Sequence, residues 1–406
     1  MRSTRRLFRY WVFAVLTVVA GIGFFFQMSW VHAMGSSASA TLAGMSPRFF
    51  IAGMGFNMLL FFMIGLTFLA FDVRTRDERE HMSEVLDTRP YSNLEFLIGR
   101  ILGLTLMVWF SVLASFMLVQ TYGTLVGVFQ WPIGETIEPF SVVGFLIYTF
   151  FMLFVWSAFL VLLSVVLKYR MLVVIAGLAF LFLQGWAVFS LPIYQQIYLS
   201  ILPGFDLGSD IDPVFFAQGD GAKLLTWILL AAGFTLLATR FHPRADGESG
   251  QNRLLAGVGV TVLGIAVYVG QIYMAEQRIE ARNLVADLHK GYENHARTDI
   301  DAIKGNILIE PGSNLAMSLI LTLNAPEDVN ALVFTLNSGL NISALSIDGT
   351  TPDWEFRDGL LTIDHGLAAR DRSELTLTID GVPNVEFGHL DQPIDLERGD
   401  FSDGQM

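Results

Sequence analysis

Histidine and glutamate are the residues with which many peptidases hold a catalytic zinc ion, and the chain contains seven histidines. Such a site carries H-E-x-x-H on one helix, where both histidines bind zinc and the glutamate acts as general base. No histidine of this chain is followed by glutamate. His289 and His295 flank Glu293, but a spacing of six does not place two ligands on one helical face. We therefore predict no catalytic zinc centre and interpret these histidines as surface residues.

Nucleotide hydrolysis is equally poorly supported. A phosphate-binding loop requires G-x-x-x-x-G-K-[ST], and the nearest string, Gly219 to Lys223, has no glycine before the lysine. Asp206, Asp210 and Asp212 could bind a cation weakly, although a solvated acidic loop explains them as well. Because no set of nucleophile, base and metal ligands stands out, we predict no catalytic residue, no metal site and no enzymatic activity in this chain.

Mixed charge is concentrated between Asp72 and Arg100, in the stretch DVRTRDEREHMSEVLDTRPYSNLEFLIGR. Both signs alternate here, and the chain becomes apolar again after Pro90. One interpretation is a solvated loop whose arginines only follow the positive-inside rule. The other is a protein-binding surface, because charged groups set the register of polar, transient interfaces.

The elements that position these residues are membrane helices. Of the 406 residues 53% are hydrophobic and only 16% are charged, with a mean hydropathy of +0.53, which excludes an entirely soluble protein. Cysteine is absent, so no disulfide can form. Seven apolar stretches approach the length needed to cross a membrane. They are Tyr10–Trp30, Phe49–Phe71, Phe96–Gly123, Phe140–Leu167, Met171–Phe189, Leu224–Thr239 and Leu254–Met274.

The basic residues orient these spans. With the N-terminus in the cytoplasm, every Lys and Arg before Met274 except Arg48 and Lys223 falls in a cytoplasmic segment. Seven spans then put everything after Met274 outside the cytoplasm. The first span also has features of a signal peptide, but its apolar run is longer than usual, so we favour a retained anchor. Cleavage would leave the later orientation unchanged.

The spans contain no charged residue or histidine well inside them, which disfavours an ion-coupled transporter or pump. Asn57 and Gln184 are polar residues within the spans. Hydrogen bonds between helices would explain both, and contact with a transported substrate is the alternative.

Beyond the spans the hydropathy pattern changes twice. Ala281, Val285, Leu288 and Tyr292 share one helical face, which predicts an amphipathic helix over 275–300. A connecting stalk and a helix lying on the membrane are both compatible with this face.

From about Lys304 apolar and polar residues alternate with a period of two, and we predict an antiparallel β-sandwich with a hairpin at Asp358-Gly359. The predicted strands are Gly305–Glu310, Leu315–Asn324, Ala331–Ser338, Ile342–Asp348, Leu360–Asp364 and Glu374–Asp380.

The predicted fold is thus a polytopic α-helical membrane protein of about seven transmembrane helices, followed by a small antiparallel β-sandwich. Residues 1–240 form a six-span membrane domain, and 241–274 a cytoplasmic loop with the seventh span. Residues 275–300 form the stalk. Residues 301–406 form an acidic β-domain, which gives the chain most of its net charge of −13 and argues against nucleic acid as a partner. The acidic, irregular end suggests that the chain could be a fragment of a longer protein.

The loop between the second and third spans resembles that of ABC-2-type exporter permeases. Arg79, Glu84, Thr88, Pro90 and Glu95 fit the spacing of that family, whereas Met82 and Arg100 replace its common glycine and lysine. The resemblance extends over the six-span layout to about Arg240. It implies that a separate ATPase, which binds ATP and Mg²⁺, docks on this loop. The docking residues carried over are Arg79, Glu84, Arg89, Pro90, Tyr91, Ser92 and Glu95.

The β-domain resembles the first β-domain of gluzincin metallopeptidases of the aminopeptidase N kind, over about 80 residues that include Asp301 to Asn337. That family's zinc motif is missing, so the resemblance implies a non-catalytic, peptidase-like domain here.

The resemblance to ABC-2-type permeases, supported by the charge-free spans, implies the membrane subunit of an ATP-driven exporter in a bacterial inner membrane, paired with a second copy or a homologous permease. The chain itself needs no cofactor, and its other partner is the lipid bilayer. The alternative is a membrane anchor that presents the outer β-domain to a protein or substrate. A membrane peptidase is the third possibility, and it would need a catalytic domain downstream.

Overall fold

The computed structural model describes residues 8–35, 47–71, 92–130, 139–167, 169–190, 220–242, 250–292, 295–310 and 313–384. These residues divide into two compact units, one up to Ile272 and the other from Tyr273 onward. The first unit is helical, and the second contains the end of the last helix and all the strands.

Apart from the C-terminal part of α7, the helices are apolar on nearly all faces, which suits a lipid environment. A helix satisfies its backbone hydrogen bonds internally, as the absence of water in lipid requires. In chain order they are α1 (Phe8–Gly35), α2 (Pro47–Ala70), α3 (Asn93–Phe129), α4 (Pro139–Val166), α5 (Arg170–Ser190), α6 (Asp220–Phe241) and α7 (Gly250–Lys290).

Five helices of the described part of the chain are long and apolar enough to cross a membrane. They contain the segments Tyr10–Val31, Asn93–Phe129, Val142–Val166, Gly221–Phe241 and Gly250–Met274. α2 and α5 contain shorter apolar stretches, Asn57–Ala70 and Arg170–Trp186. A helical membrane protein is therefore supported, whereas the predicted number of seven spans is not confirmed.

The core of the first unit lies among α1, α2, α3, α4 and α6, where α1 packs on α2 and α4 packs on α3 and α6. Trp156 on α4 is buried, and its indole Nε1 donates a hydrogen bond to the Met63 carbonyl of α2 at 3.0 Å. This bond crosses between helices that dispersion forces otherwise hold together, and so it fixes their register.

α6 and α7 approach each other closely at glycines. A Cβ added at Gly233 would lie 2.9 Å from the backbone nitrogen of Thr261, and one at Gly257 would lie 3.0 Å from that of Leu237. Small residues are the usual means by which membrane helices bring their backbones together.

α7 is one continuous helix of 41 residues. The predicted seventh span, Leu254–Met274, and the predicted stalk helix are therefore parts of a single element. The compact units divide within it, between Ile272 and Tyr273.

The described residues of the second unit form two antiparallel sheets. One has the strand order β1-β2-β7-β4 and the other β3-β6-β5. Their shared core includes Leu323, Leu332, Ile347, Ile363 and Leu375, all fully buried. The strands are β1 (Asp299–Glu310), β2 (Asn314–Asn324), β3 (Leu332–Thr335), β4 (Leu340–Ile347), β5 (Trp354–Arg357), β6 (Leu360–Ile363) and β7 (Arg372–Gly381).

The antiparallel arrangement agrees with the period-two pattern, but most strand boundaries differ by one or two residues, and three strands differ more. β1 begins at Asp299 rather than Gly305, β3 is only four residues long, and β5 was not predicted. β5 alternates apolar and polar residues, but only over the four residues Trp-Glu-Phe-Arg, so its strand signal was too short to stand out. The hairpin at Asp358-Gly359 is confirmed: it joins β5 to β6, and its residues have φ of 49° and 78°, as a type I′ turn requires.

Candidate functional site

The first turn of α3 carries the two predicted docking residues that the structure describes. Ser92 is the N-cap, and its Oγ accepts a hydrogen bond from the Glu95 amide at 3.2 Å. The Ser92 amide in turn donates to Glu95 Oε2 at 2.9 Å. This reciprocal pair is a capping box, which satisfies two backbone donors at the helix start. The mixed-charge segment therefore passes into a helix at a defined residue.

The same turn contacts the end of α6. The Phe96 ring and the His242 ring lie 5.7 Å apart, edge to face, and His242 directly follows the last residue of α6. The Arg100 guanidinium carbon lies 4.6 Å from the centroid of the Phe96 ring, within cation–π range. Phe96 thus connects the start of α3 with the end of α6.

The other predicted docking residues, Arg79, Glu84, Arg89, Pro90 and Tyr91, lie outside the described residues. The docking assignment accordingly remains a prediction.

Asn57 on α2 and Gln184 on α5 are both half-buried, and both take part in polar interactions. By the predicted orientation, Asn57 lies toward the start of an inward-running helix and Gln184 toward the end of an outward-running one. Their assignment to a transport pathway, rather than to interhelical hydrogen bonding, remains a prediction.

Lys223 is a buried cation at the start of α6, although hydropathy placed it just outside the sixth span. In the structure Lys223 lies within the first turn of α6 and is 5% exposed. Its Nζ lies 5.6 Å from the ring centroid of Tyr148 on α4 and 5.8 Å from that of Trp227. The two rings are themselves 4.6 Å apart. Lys223 and Trp227 are four residues apart on one helix face, which was the sequence signal for this contact.

Thr226 lies one helical turn after Lys223 on α6, and it forms a hydrogen bond with Gln271 on α7. The Gln271 Nε2 donates this hydrogen bond to Thr226 Oγ1 at 2.9 Å, and both residues are buried. The bond joins α6 and α7, the two helices that approach each other closely at Gly233. Buried polar groups of this kind specify which helices pair and in what register.

In the second unit, a cavity of about 630 Å³ lies between the C-terminal part of α7 and the β5–β6 hairpin. The predicted amphipathic face of Ala281, Val285, Leu288 and Tyr292 lines it, together with strand residues that include Leu360. The apolar face of this helix is therefore directed toward the β5–β6 hairpin of the same unit.

The two histidines considered for zinc have a structural role in this unit. The His289 Nε2 atom is 2.9 Å from the Asp358 carbonyl oxygen, and the His295 Nε2 atom is 3.2 Å from the Ala331 carbonyl oxygen. Both side chains are partly exposed, and each contacts a backbone carbonyl oxygen, so these histidines also hold neighbouring segments in place. Among the described residues no three His, Asp or Glu side chains come together as a group that could hold a metal ion.

No protein-family model matches the chain, and no curated protein matches it. Among solved structures, an M1 zinc metallopeptidase from Deinococcus radiodurans, crystallised with a bound Tyr-Ser-Ala substrate, is similar over 22% of this chain and 21% of its own length. The identity is 22% and the TM-score is 0.21. The matched region thus spans about a fifth of that peptidase.

Proposed function

We propose that this chain is the membrane subunit of an ATP-driven exporter, energised by a separate ATPase that docks on the loop between α2 and α3. The contact between Phe96 and His242 is the observation that carries the proposal. A displacement of the docking loop by the ATPase would be transmitted to α3 through the capping box. It would be transmitted from α3 to α6 through the contact between the Phe96 and His242 rings. One binding event in the cytoplasm would therefore move two helices together.

The length of α3 supports the same mechanism. A helix of 37 residues is about 55 Å long, which exceeds the roughly 30 Å hydrocarbon core of a bilayer. A rigid rod of this length would carry a displacement from one membrane surface to the other. The second copy or a homologous permease would supply the other half of the pathway. In this proposal the protein lies in a bacterial inner membrane, with its N-terminus in the cytoplasm and the β-unit outside.

Glu84 provides the test. The chain is purified gently from its native membranes, and co-purifying proteins are identified by mass spectrometry. We expect an ABC-type ATPase in stoichiometric amount. In the Glu84→Lys variant we expect insertion at the normal level, but loss of this ATPase and of ATPase stimulation, because the contact charge is reversed.

Glu80→Lys is the matched control, since it makes the same charge change within the same loop. If Glu84→Lys retains and stimulates the ATPase as well as the parent chain does, the docking assignment is wrong. Failure to recover any ABC-type ATPase with the parent chain would refute the transport proposal itself.

A second candidate function is membrane anchoring of the β-unit. It is favoured by α7, which runs unbroken for 41 residues and whose span is only 17% buried. Such a helix contributes little to a packed pathway but can hold an extramembrane domain. Recovery of an outer-face protein instead of an ATPase would support this alternative.

A further inference from the structure

β1 is an edge strand with an unusual composition. It is 12 residues long and pairs with β2 on one side, and in the described part of the chain no strand pairs with its other side. Edge strands usually carry charges, prolines or short lengths that prevent pairing with another chain. β1 has four charged residues, Asp299, Asp301, Lys304 and Glu310, but it also contains large apolar side chains that are 42–62% exposed. These are Ile300, Ile303, Ile307, Leu308 and Ile309.

The register shows that most of these side chains belong to the core-facing side of the sheet. Ile303 pairs with Leu321, Ile307 with Met317 and Ile309 with Leu315. Side chains directly opposite each other in a sheet point to the same face, and these β2 partners belong to the core or pack against it. Yet no β1 residue is part of that core. The four-stranded sheet therefore extends its apolar face beyond the part that the three-stranded sheet covers.

The charges on β1 are arranged so that the strand complements itself. Lys304 is its only cation, and Glu310 is the carboxylate that ends it. In an antiparallel pair of two β1 strands centred on Ile307, Lys304 of each copy lies opposite Glu310 of the other. Ile307 then meets its own counterpart. Opposite charges and large aliphatic pairs across strands are both stabilising.

Gly305 fits the same register. A Cβ at this position would clash with the Ser318 carbonyl oxygen, so glycine is what lets β1 lie close to β2. In the paired arrangement Gly305 faces Ile309 of the other copy and leaves room for that side chain.

Other registers are less favourable. Centring the pair on Lys304 would place two lysines opposite each other, and centring it on Gly305 would bring Asp301 beside Glu310. Centring it on Asn306 would leave Lys304 and Glu310 opposite apolar residues. A shift by one residue would turn the apolar face of one copy to the polar side.

We propose that two copies of this chain associate through their β1 strands, which pair antiparallel about a two-fold axis at Ile307 and join two four-stranded sheets into one of eight strands. A two-fold contact of this kind uses the same patch on both partners. The contact protects both exposed edges at once, whereas an unrelated strand would have to match the charge pattern of β1 separately. This inference goes beyond the proposed transport function and does not depend on it.

The absence of cysteine from the chain makes the contact directly measurable. In full-length protein in native membranes, a single Ile307→Cys substitution places one thiol on the proposed axis. Opposed residues of antiparallel strands have Cα atoms about 4.5–5.5 Å apart, which a disulfide can bridge. We expect most of the chain to become a disulfide-linked dimer on mild oxidation.

Ser318→Cys is the matched control. Ser318 is exposed and lies on β2, directly across from Asn306. In the proposed dimer the two Ser318 positions are at least three strand spacings apart, about 14 Å or more, and cannot be bridged. We expect less than about one tenth of the crosslinking of Ile307→Cys.

Charge exchange tests the register. In the Ile307→Cys background, Lys304→Glu or Glu310→Lys alone should slow crosslinking about tenfold, because each creates two like-charge pairs. The double exchange should restore it. Both side chains are exposed, so neither change affects the core. The proposal is overturned if Ile307→Cys gives no dimer, if it crosslinks to a different protein, if Ser318→Cys crosslinks equally, or if the double exchange does not restore pairing.

Discussion

The capping box at the start of α3 yields a prediction whose size follows from the structure. Ser92→Ala removes the hydroxyl that accepts from the Glu95 amide, while the backbone of Ser92 still accepts from the Phe96 amide at 3.2 Å. Replacing a serine N-cap by alanine costs about 1 kcal/mol, within a range of about 0.5–2. Water can reach Glu95, which is exposed, so we expect the middle of that range or less. A cost of about 1 kcal/mol increases opening of the first turn about fivefold.

Hydrogen exchange of the chain in lipid nanodiscs measures this opening. We expect the Phe96 amide to exchange about fivefold faster in Ser92→Ala, and Ser92→Asn to restore the original rate, because asparagine caps as well as serine. Ser115→Ala is the control: Ser115 donates only to the Ser111 carbonyl, in the middle of the same helix. A change at Phe96 of less than twofold in Ser92→Ala, or an equal change in Ser115→Ala, would refute the capping argument. If the first turn transmits movement from the loop, Ser92→Ala should also reduce ATPase stimulation.

Two further predictions concern packing. Leu323 is fully buried in the β-unit core, so Leu323→Ala should lower the stability of that unit by about 2–5 kcal/mol. Ile320 lies on the exposed face of the same strand, so Ile320→Ala should change the stability by about 0.5 kcal/mol or less. Limited proteolysis of the β-unit measures both effects, and equal sensitivity would contradict the assigned core. Gly233→Ala should separate α6 from α7, because its Cβ would lie 2.9 Å from the Thr261 backbone nitrogen, whereas Gly259 has open space around it and should tolerate alanine. Thermal unfolding in detergent compares these two variants, and equal stability would show that α6 and α7 do not pack through Gly233.

Several features were predictable because they depend on local sequence. Long apolar runs have few alternatives to a helix in lipid, so the helical membrane class followed from hydropathy. The hairpin at Asp358-Gly359 was predictable for a similar reason: both residues adopt positive φ, which aspartate and glycine tolerate well. The apolar face of Ala281, Val285, Leu288 and Tyr292 was visible from its spacing alone.

Other features required the fold. Hydropathy predicted a seventh span and a separate stalk, and only the backbone showed that they form one helix, because no local signal marks where a helix leaves a membrane. Lys223 appeared to end a span, since a single charge is costly in lipid. Its burial between Tyr148 and Trp227 depends on how α4 and α6 pack, and Tyr148 lies 75 residues earlier in the chain.

Local sequence was thus enough to predict the class of the protein, the change from helices to strands and the position of one turn, because these follow from the composition and periodicity of neighbouring residues. Which apolar side chains are covered depends on the tertiary structure. The alternation within β1 and β2 is similar, but Leu323 is fully buried whereas Ile307 is 59% exposed, because the second sheet covers one strand and not the other. Which strand lies at an edge depends on pairing between distant segments, and a local pattern carries no information about it.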